Sequence, residues 1–272
     1  MINKKYKPVL IGLFLVCFGS LAKAELPKEQ VYSLFNQANE YFREANAATN
    51  DSDKAMSLYQ KAILNYEKII SDGQIHNSKL YYNLANAYFL KGDLGKAILN
   101  YVRAEELDNS DANIKKNLAF ARSQRIDSIS EKTQKRVLQT LFFWHYDFSI
   151  KTKFILSCIF FAAFCLFLTI VVWFGRTVPR IIAVVIFGIL VLCFIVSVSL
   201  ESYTRSGTYH GVITIPEVVA RQGDGRNYPA SFKEPLHEGT EFDLLEQRVG
   251  WFHIKLSDDS DAWIPDNSAE LV

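Results

Sequence analysis

Apolar residues gather into three blocks along the chain, and between the blocks polar and apolar positions alternate at helical or strand spacing. The first block, Pro8 to Leu21, follows a basic start (Lys4, Lys5, Lys7) and precedes Ala22-Lys23-Ala24. A basic start, a short apolar core and an A-x-A site predict a secretory signal peptide over residues 1–24, cleaved after Ala24. The core is shorter than the ~20 apolar residues that carry a helix across a bilayer. Residues 154–174 and 181–200 do reach that length without a charge, joined by Gly175-Arg176-Thr177-Val178-Pro179-Arg180. They predict a two-helix transmembrane hairpin.

The charges around these blocks set an expected topology. Lys4, Lys5 and Lys7 hold the N-terminus inside, so residues 25–153 are exported, and the hairpin returns Arg176 and Arg180 to the cytoplasmic side. The C-terminal stretch then ends on the exported side. Lys135, Arg136, Lys151 and Lys153 oppose this arrangement, a bias that long translocated domains override.

Residues 25–125 are rich in Ala, Leu, Tyr, Asn, Lys and Glu and contain one proline, Pro27, so helices are expected. Tyr81, Leu84, Ala85, Tyr88, Gly92, Ala97, Tyr101 and Ala104 reproduce the spacing of a tetratricopeptide (TPR) repeat, whose period is about 34 residues. Leu84, Ala85 and Tyr88 share a face of a first helix, Gly92-Asp93 makes the turn, and Ala97 is small where a second helix crosses. Leu34, Ala38 and Tyr41 fit the first helix of an upstream copy, and Ala62, Tyr66 and Ile69 its second, with an extended turn from Ala45 to Lys54. Asn117-Leu118-Ala119 repeats Asn83-Leu84-Ala85 as a closing helix.

The TPR resemblance implies a concave groove for peptides. The matching positions carry Asn36, Asn39, Asn83, Asn86 and Asn117, with Lys79, Tyr82 and Phe89 alongside. Carboxamides can donate and accept to a peptide backbone. The competing reading of the same residues is ordinary solvated helix positions.

Between Lys115 and Lys153 stand nine basic residues and three acidic ones. Within residues 126–153, the run Leu141-Phe142-Phe143-Trp144-His145-Tyr146 suits a membrane interface. An interfacial helix is expected, with His145 as an interfacial ring; an irregular tether is the alternative.

From residue 209 onward, β-branched and aromatic residues alternate with charges and are broken by Gly and Pro. Strands are predicted near residues 211–214, 217–221, 241–245, 251–256 and 262–264. Val-x-x-Arg before a glycine turn, Trp251 and Ala262-Trp263-Ile264-Pro265 resemble a bacterial SH3 (SH3b) domain over 209–272. The sequence departs from that pattern at Gln222-Gly223-Asp224 and Ala262, which puts a family ligand groove in doubt. Twelve acidic residues stand against five basic ones here. This acidity disfavours anionic wall polymers as ligands and predicts that the region folds back onto the basic stretch before the membrane, or onto a basic partner.

Composition narrows the function classes. Hydrophobic residues make up 49% and Lys+Arg 30 balance Asp+Glu 29, which excludes a disordered chain and the broad positive field of a nucleic-acid binder. All four cysteines lie in the apolar blocks, so the polar regions hold no thiolate nucleophile or cysteine-ligated zinc. Cys158, Cys165 and Cys193 are apolar filler. No phosphate loop, H-E-x-x-H or G-x-S-x-G occurs, and the five histidines lack metal-ligand spacing. His237 and Glu238 are expected in a turn before Gly239, and His253 on a solvated strand face. No enzyme, metal or cofactor is expected.

The order of signal peptide, TPR array, the phrase Asn117-Leu-Ala-Phe-Ala-Arg-Ser, membrane hairpin and SH3b region containing Leu236-His-Glu-Gly-Thr240 resembles the BatE family of bacterial aerotolerance operons. The resemblance implies an inner-membrane protein with its TPR and SH3b domains on the periplasmic side. It also implies work beside membrane proteins bearing von Willebrand A domains and a MoxR-type ATPase, in envelope or oxidative-stress tolerance. The expected fold is thus a multidomain membrane protein: an all-α TPR domain, a transmembrane hairpin and an all-β SH3-like barrel. The expected function is an interaction scaffold; the alternative is a cell-wall tether binding peptidoglycan through the SH3b region. A regulatory subunit of an oxidoreductase is a third reading.

Overall fold

A computed structural model describes residues 26–48, 50–127, 141–146, 148–205 and 209–272. The expected signal peptide and the segment 128–140 lie outside the described residues. The chain divides into two compact units between His76 and Asn77.

The first unit is a helical hairpin, α1 (Lys28–Ala47) and α2 (Ser52–Ser71). The turn is shorter than expected: α1 runs on through Ala45 to Ala47, and Asp51 caps α2 by accepting from the Lys54 N–H at 3.0 Å. Ala38 and Ala62 are fully buried, Tyr66 and Ile69 nearly so. Small residues where the helices meet let the larger ones interdigitate.

The second unit opens with α3 (Ser78–Lys91), α4 (Leu94–Leu107) and α5 (Ala112–Ser123). Asn77, Asp93 and Asp111 cap them with side-chain oxygens. Gly92 ends α3 at φ +92°, a left-handed position suited to glycine. The buried stripe comprises Leu80, Leu84, Ala85, Tyr88, Ala97, Ile98, Tyr101, Ala104, Ile114 and Leu118. The Gly92 turn, the small Ala97 and the closing helix stand where the sequence predicts them.

A short helix, α6 (Phe143–Tyr146), leads into α7 (Ile150–Phe174) and α8 (Val178–Arg205). By length and apolar composition α7 and, within α8, Val178–Leu200 can each cross a membrane. The helices begin earlier than the charge-free blocks, so the connecting turn shrinks to residues 175–177. Phe167 stacks on Phe187 at 5.3 Å, and Phe160 on Phe194 at 5.6 Å. Arg180 donates to the carbonyls of Phe174 and Gly175 at 2.8 and 3.1 Å, satisfying acceptors left open at the end of α7. At the other end, Lys153 is fully buried and donates to the His145 carbonyl, while the His145 ring lies 2.7 Å from the Ser197 hydroxyl. His145 therefore packs on α8. Cys158, Cys165 and Cys193 are free thiols.

The C-terminal region is antiparallel sheet. β1 (Tyr209–Ile213), β4 (Glu241–Arg248), β5 (Trp251–Lys255), β6 (Asp261–Pro265) and β7 (Ala269–Leu271) pair in the order β6-β5-β4-β1-β7. β2 (Glu217–Val218) pairs with β3 (Leu236–His237) as a separate ribbon. Among the described residues no ladder joins the edges β6 and β7, so the hydrogen bonds form an open sheet where a closed barrel was expected. Three further details differ from expectation. The 217–221 strand stops at Val218 and continues only as a bridge from Arg221 to Trp263; β3 and β7 were not foreseen; and Leu236 and His237 are strand, with the turn following at Gly239. Strands of two or three residues carry too little alternation to be seen in a sequence. The core under the sheet is Ile213, Phe242, Phe252, Ile254, Leu256 and Ile264.

Candidate functional site

Residues 79, 82, 83, 86 and 89 recur at three- and four-residue intervals, so the helical repeat puts Lys79, Tyr82, Asn83, Asn86 and Phe89 on one side of α3. Helix α5 lies against it. Asn117 Nδ2 donates to Tyr82 Oη at 3.0 Å and to Asn86 Oδ1 at 3.1 Å. From below, Tyr101 of α4 donates its phenol to the same Asn86 oxygen at 2.5 Å. Burial pushes the Tyr101 phenol well above its ordinary pKa, against the smaller opposing effect of Asn117.

The asparagines thus serve the fold first. Asn86 Oδ1 and Asn117 Nδ2 are occupied by helix-to-helix bonds and are not available to a peptide backbone. Among the described residues Asn86 Nδ2 and Asn117 Oδ1 have no partner, nor has the carboxamide of Asn83, which leaves amide donors and acceptors on this face. Beside them Phe89 and Phe120 form an aromatic pair 5.6 Å apart, with Phe120 57% exposed. Lys79 is exposed and Asn83 half-buried. The face can therefore offer an aromatic ledge, free amide donors and acceptors, and a cation.

Phe120 and Tyr101 were not among the sequence candidates. Phe120 was findable, because it follows Asn117 at the i, i+3 spacing that puts both on one side of a helix. In the first unit Asn36 is exposed, whereas Asn39 Oδ1 accepts from Tyr66 at 2.7 Å. The same pairing therefore ties each hairpin: Asn39 to Tyr66, and Asn86 to Tyr101.

A second arrangement joins α4 and α5 to the sheet. Arg122 grips both oxygens of Glu241 at 2.8 and 2.6 Å, and Arg125 adds a third contact at 3.1 Å. Asp127 accepts from the His237 N–H at 2.7 Å and the Thr240 hydroxyl at 2.6 Å, and its other oxygen lies 2.8 Å from His237 Nδ1. Burial would raise the Asp127 pKa, but these three hydrogen bonds outweigh it and hold the carboxyl below its ordinary value. Glu238 accepts from the Gly95 N–H at 3.0 Å in the first turn of α4, where an anion is favoured. Arg103 donates to the Leu271 carbonyl at 2.6 Å. Gly95 lies against strand backbone: a Cβ there would meet the Ile213 carbonyl oxygen at 2.7 Å and Thr214 Cα at 2.9 Å. The acidic sheet thus folds back onto the basic stretch, as the charge balance suggested, through Arg122 and Arg125.

On the sheet itself Trp263 is 8% exposed, with the His253 ring stacked 4.6 Å away and the Arg248 guanidinium 4.7 Å from its centre. His253 is also 2.8 Å from Asp261, so it packs and pairs where a free solvated ring was expected. The most prominent aromatic of the sheet is covered by its own neighbours.

No family model matches the chain, and no curated protein sequence matches it. Its functional reading therefore rests on its own residues.

Proposed function

We propose that this protein is a membrane-anchored interaction scaffold. TPR-type helical hairpins hold an extended segment of a membrane partner, and an SH3b-type sheet is braced against α4 and α5 on the exported side of a bacterial inner membrane. The Phe89–Phe120 ledge carries the reading, because an aromatic pair with one exposed ring beside unused amide groups suits a peptide better than bulk water. Lys79 at its edge favours a segment with a carboxylate. The TPR assignment draws on the repeated Asn–Tyr bonds, the Gly92 turn and Ala97; the hairpin of α7 and α8 supports the anchor. The resemblance to the BatE family implies the von Willebrand A-domain proteins of aerotolerance operons as partners and envelope or oxidative-stress tolerance as the setting. The coverage of Trp263 weighs against the wall-tether alternative.

The test is photocrosslinking in cells from positions Asn83 and Phe120, followed by mass spectrometry. The expected product is an adduct with the exported domain of a membrane protein. An adduct with a cytoplasmic protein would overturn the topology, and absence of any protein adduct from either position would overturn the scaffold. Co-sedimentation of the full-length protein with peptidoglycan sacculi would favour the wall tether instead.

A further inference from the structure

A cleft of about 500 Å³ opens between α4, α5 and the sheet, away from the Phe89–Phe120 ledge. Each basic side chain on its lining has a carboxylate neighbour, and the lining carboxylates Glu105, Glu106, Glu241 and Asp243 outnumber Arg122, Arg125 and Lys255. Arg122 and Arg125 share Glu241, Lys255 holds Asp259 at 2.7 Å, and His210 lies 2.6 Å from Asp243. One lining carboxylate is not matched. Glu105, half-buried on α4, makes no hydrogen bond or ion pair among the described residues. Burial pushes its carboxyl above the ordinary range, although the charges of Arg122 and Lys115 pull the other way. Val102, Val212, Phe242 and Leu256 supply apolar wall beside it.

From this charge imbalance inside a formed cleft we infer a second binding site, which takes an alkylammonium group. The ammonium pairs with Glu105, and its methylene stem lies along Val102 and the apolar residues of the sheet. A desolvated carboxylate without a partner gains from a charge-assisted hydrogen bond, and an apolar wall suits the flexible stem of a lysine-type amine. An anion is disfavoured, since the lining carboxylates of Glu105, Glu106, Glu241 and Asp243 outnumber Arg122, Arg125 and Lys255. The ligand chemistry has two sources, a free aliphatic diamine or a lysine side chain presented by a polypeptide.

The test is calorimetric titration of the full-length protein in detergent micelles. The probes are 1,5-diaminopentane and Nα-acetyl-lysine amide, with Nα-acetyl-norleucine amide as the uncharged control of similar shape. Saturable binding of at least one amine and none of the control is expected, and the tighter amine identifies the source. Glu105→Gln weakens binding at least tenfold, and Val102→Phe, which fills the cleft without touching the charge, does the same. If neither amine binds saturably, if the control binds as well, or if Glu105→Gln leaves affinity unchanged, the site is overturned. Phe120→Ser separates this inference from the scaffold reading: it leaves amine affinity intact whatever becomes of crosslinking at the ledge.

Discussion

The phenol of Tyr101 and the side-chain oxygen of Asn86 are held 2.5 Å apart across α3 and α4, and Asn117 of α5 reaches the same oxygen. One carboxamide therefore ties three consecutive helices, and the ledge formed by Phe89 and Phe120 depends on that tie for its shape. Asn86→Ala leaves the Tyr101 hydroxyl buried without an acceptor. It is expected to cost about 1–3 kcal/mol in denaturant unfolding of the full-length protein. Tyr101→Phe removes the donor as well as the need for it, and should cost less.

Gly95→Ala separates local from tertiary preference. Alanine favours a helix over glycine by roughly 1 kcal/mol, yet the new Cβ would strike the backbone of Ile213 and Thr214. The expected result is a net loss of stability, with faster amide exchange in β1 and unchanged helical circular dichroism.

Glu241→Gln leaves Arg122 and Arg125 facing each other without their shared carboxylate. The groups are partly exposed, so the expected cost is about 1–2 kcal/mol rather than the 3–5 of a fully buried pair. Amide protection of β4 should fall in the variant. In the unaltered protein it should fall on raising salt to 1 M, where screening acts over about 3 Å.

Asp127 gives the sheet contact a pH limit. Its folded pKa lies below the unfolded value near 4, so its contribution is fully present above that value and is lost as pH falls through the lower folded one. Amide protection of β3 should hold from pH 7 to 5 and decline only in stronger acid. Asp127→Asn should lower that protection at neutral pH and remove the acid step.

Glu105→Gln should raise the melting temperature at pH 7. The native environment disfavours the ionised carboxyl, so replacing it with a neutral isostere relieves a desolvation cost. A lower melting temperature would mean that Glu105 has a structural partner after all.

The elements resting on periodicity were legible in the sequence. Leu84, Ala85 and Tyr88, with Ala97 and Tyr101 one helix later, announce a packed helical hairpin because the 3.6-residue period is written in side-chain type alone. The two apolar helices were equally plain, since length and absence of charge are local properties. What the sequence could not decide was which polar atoms remain for a partner. Asn39, Asn83, Asn86 and Asn117 look alike along the chain, but Tyr66 and Tyr101 occupy two of them from other helices. Nor could it show that Gly95 is glycine because a strand lies against it, or that Glu105 lines a cleft without a hydrogen bond or ion pair among the described residues. Those facts depend on residues brought together from different elements, some more than a hundred positions apart, such as Gly95 and Glu238. Hydrogen bonding and charge pairing are settled by distance in space, which only the folded chain supplies.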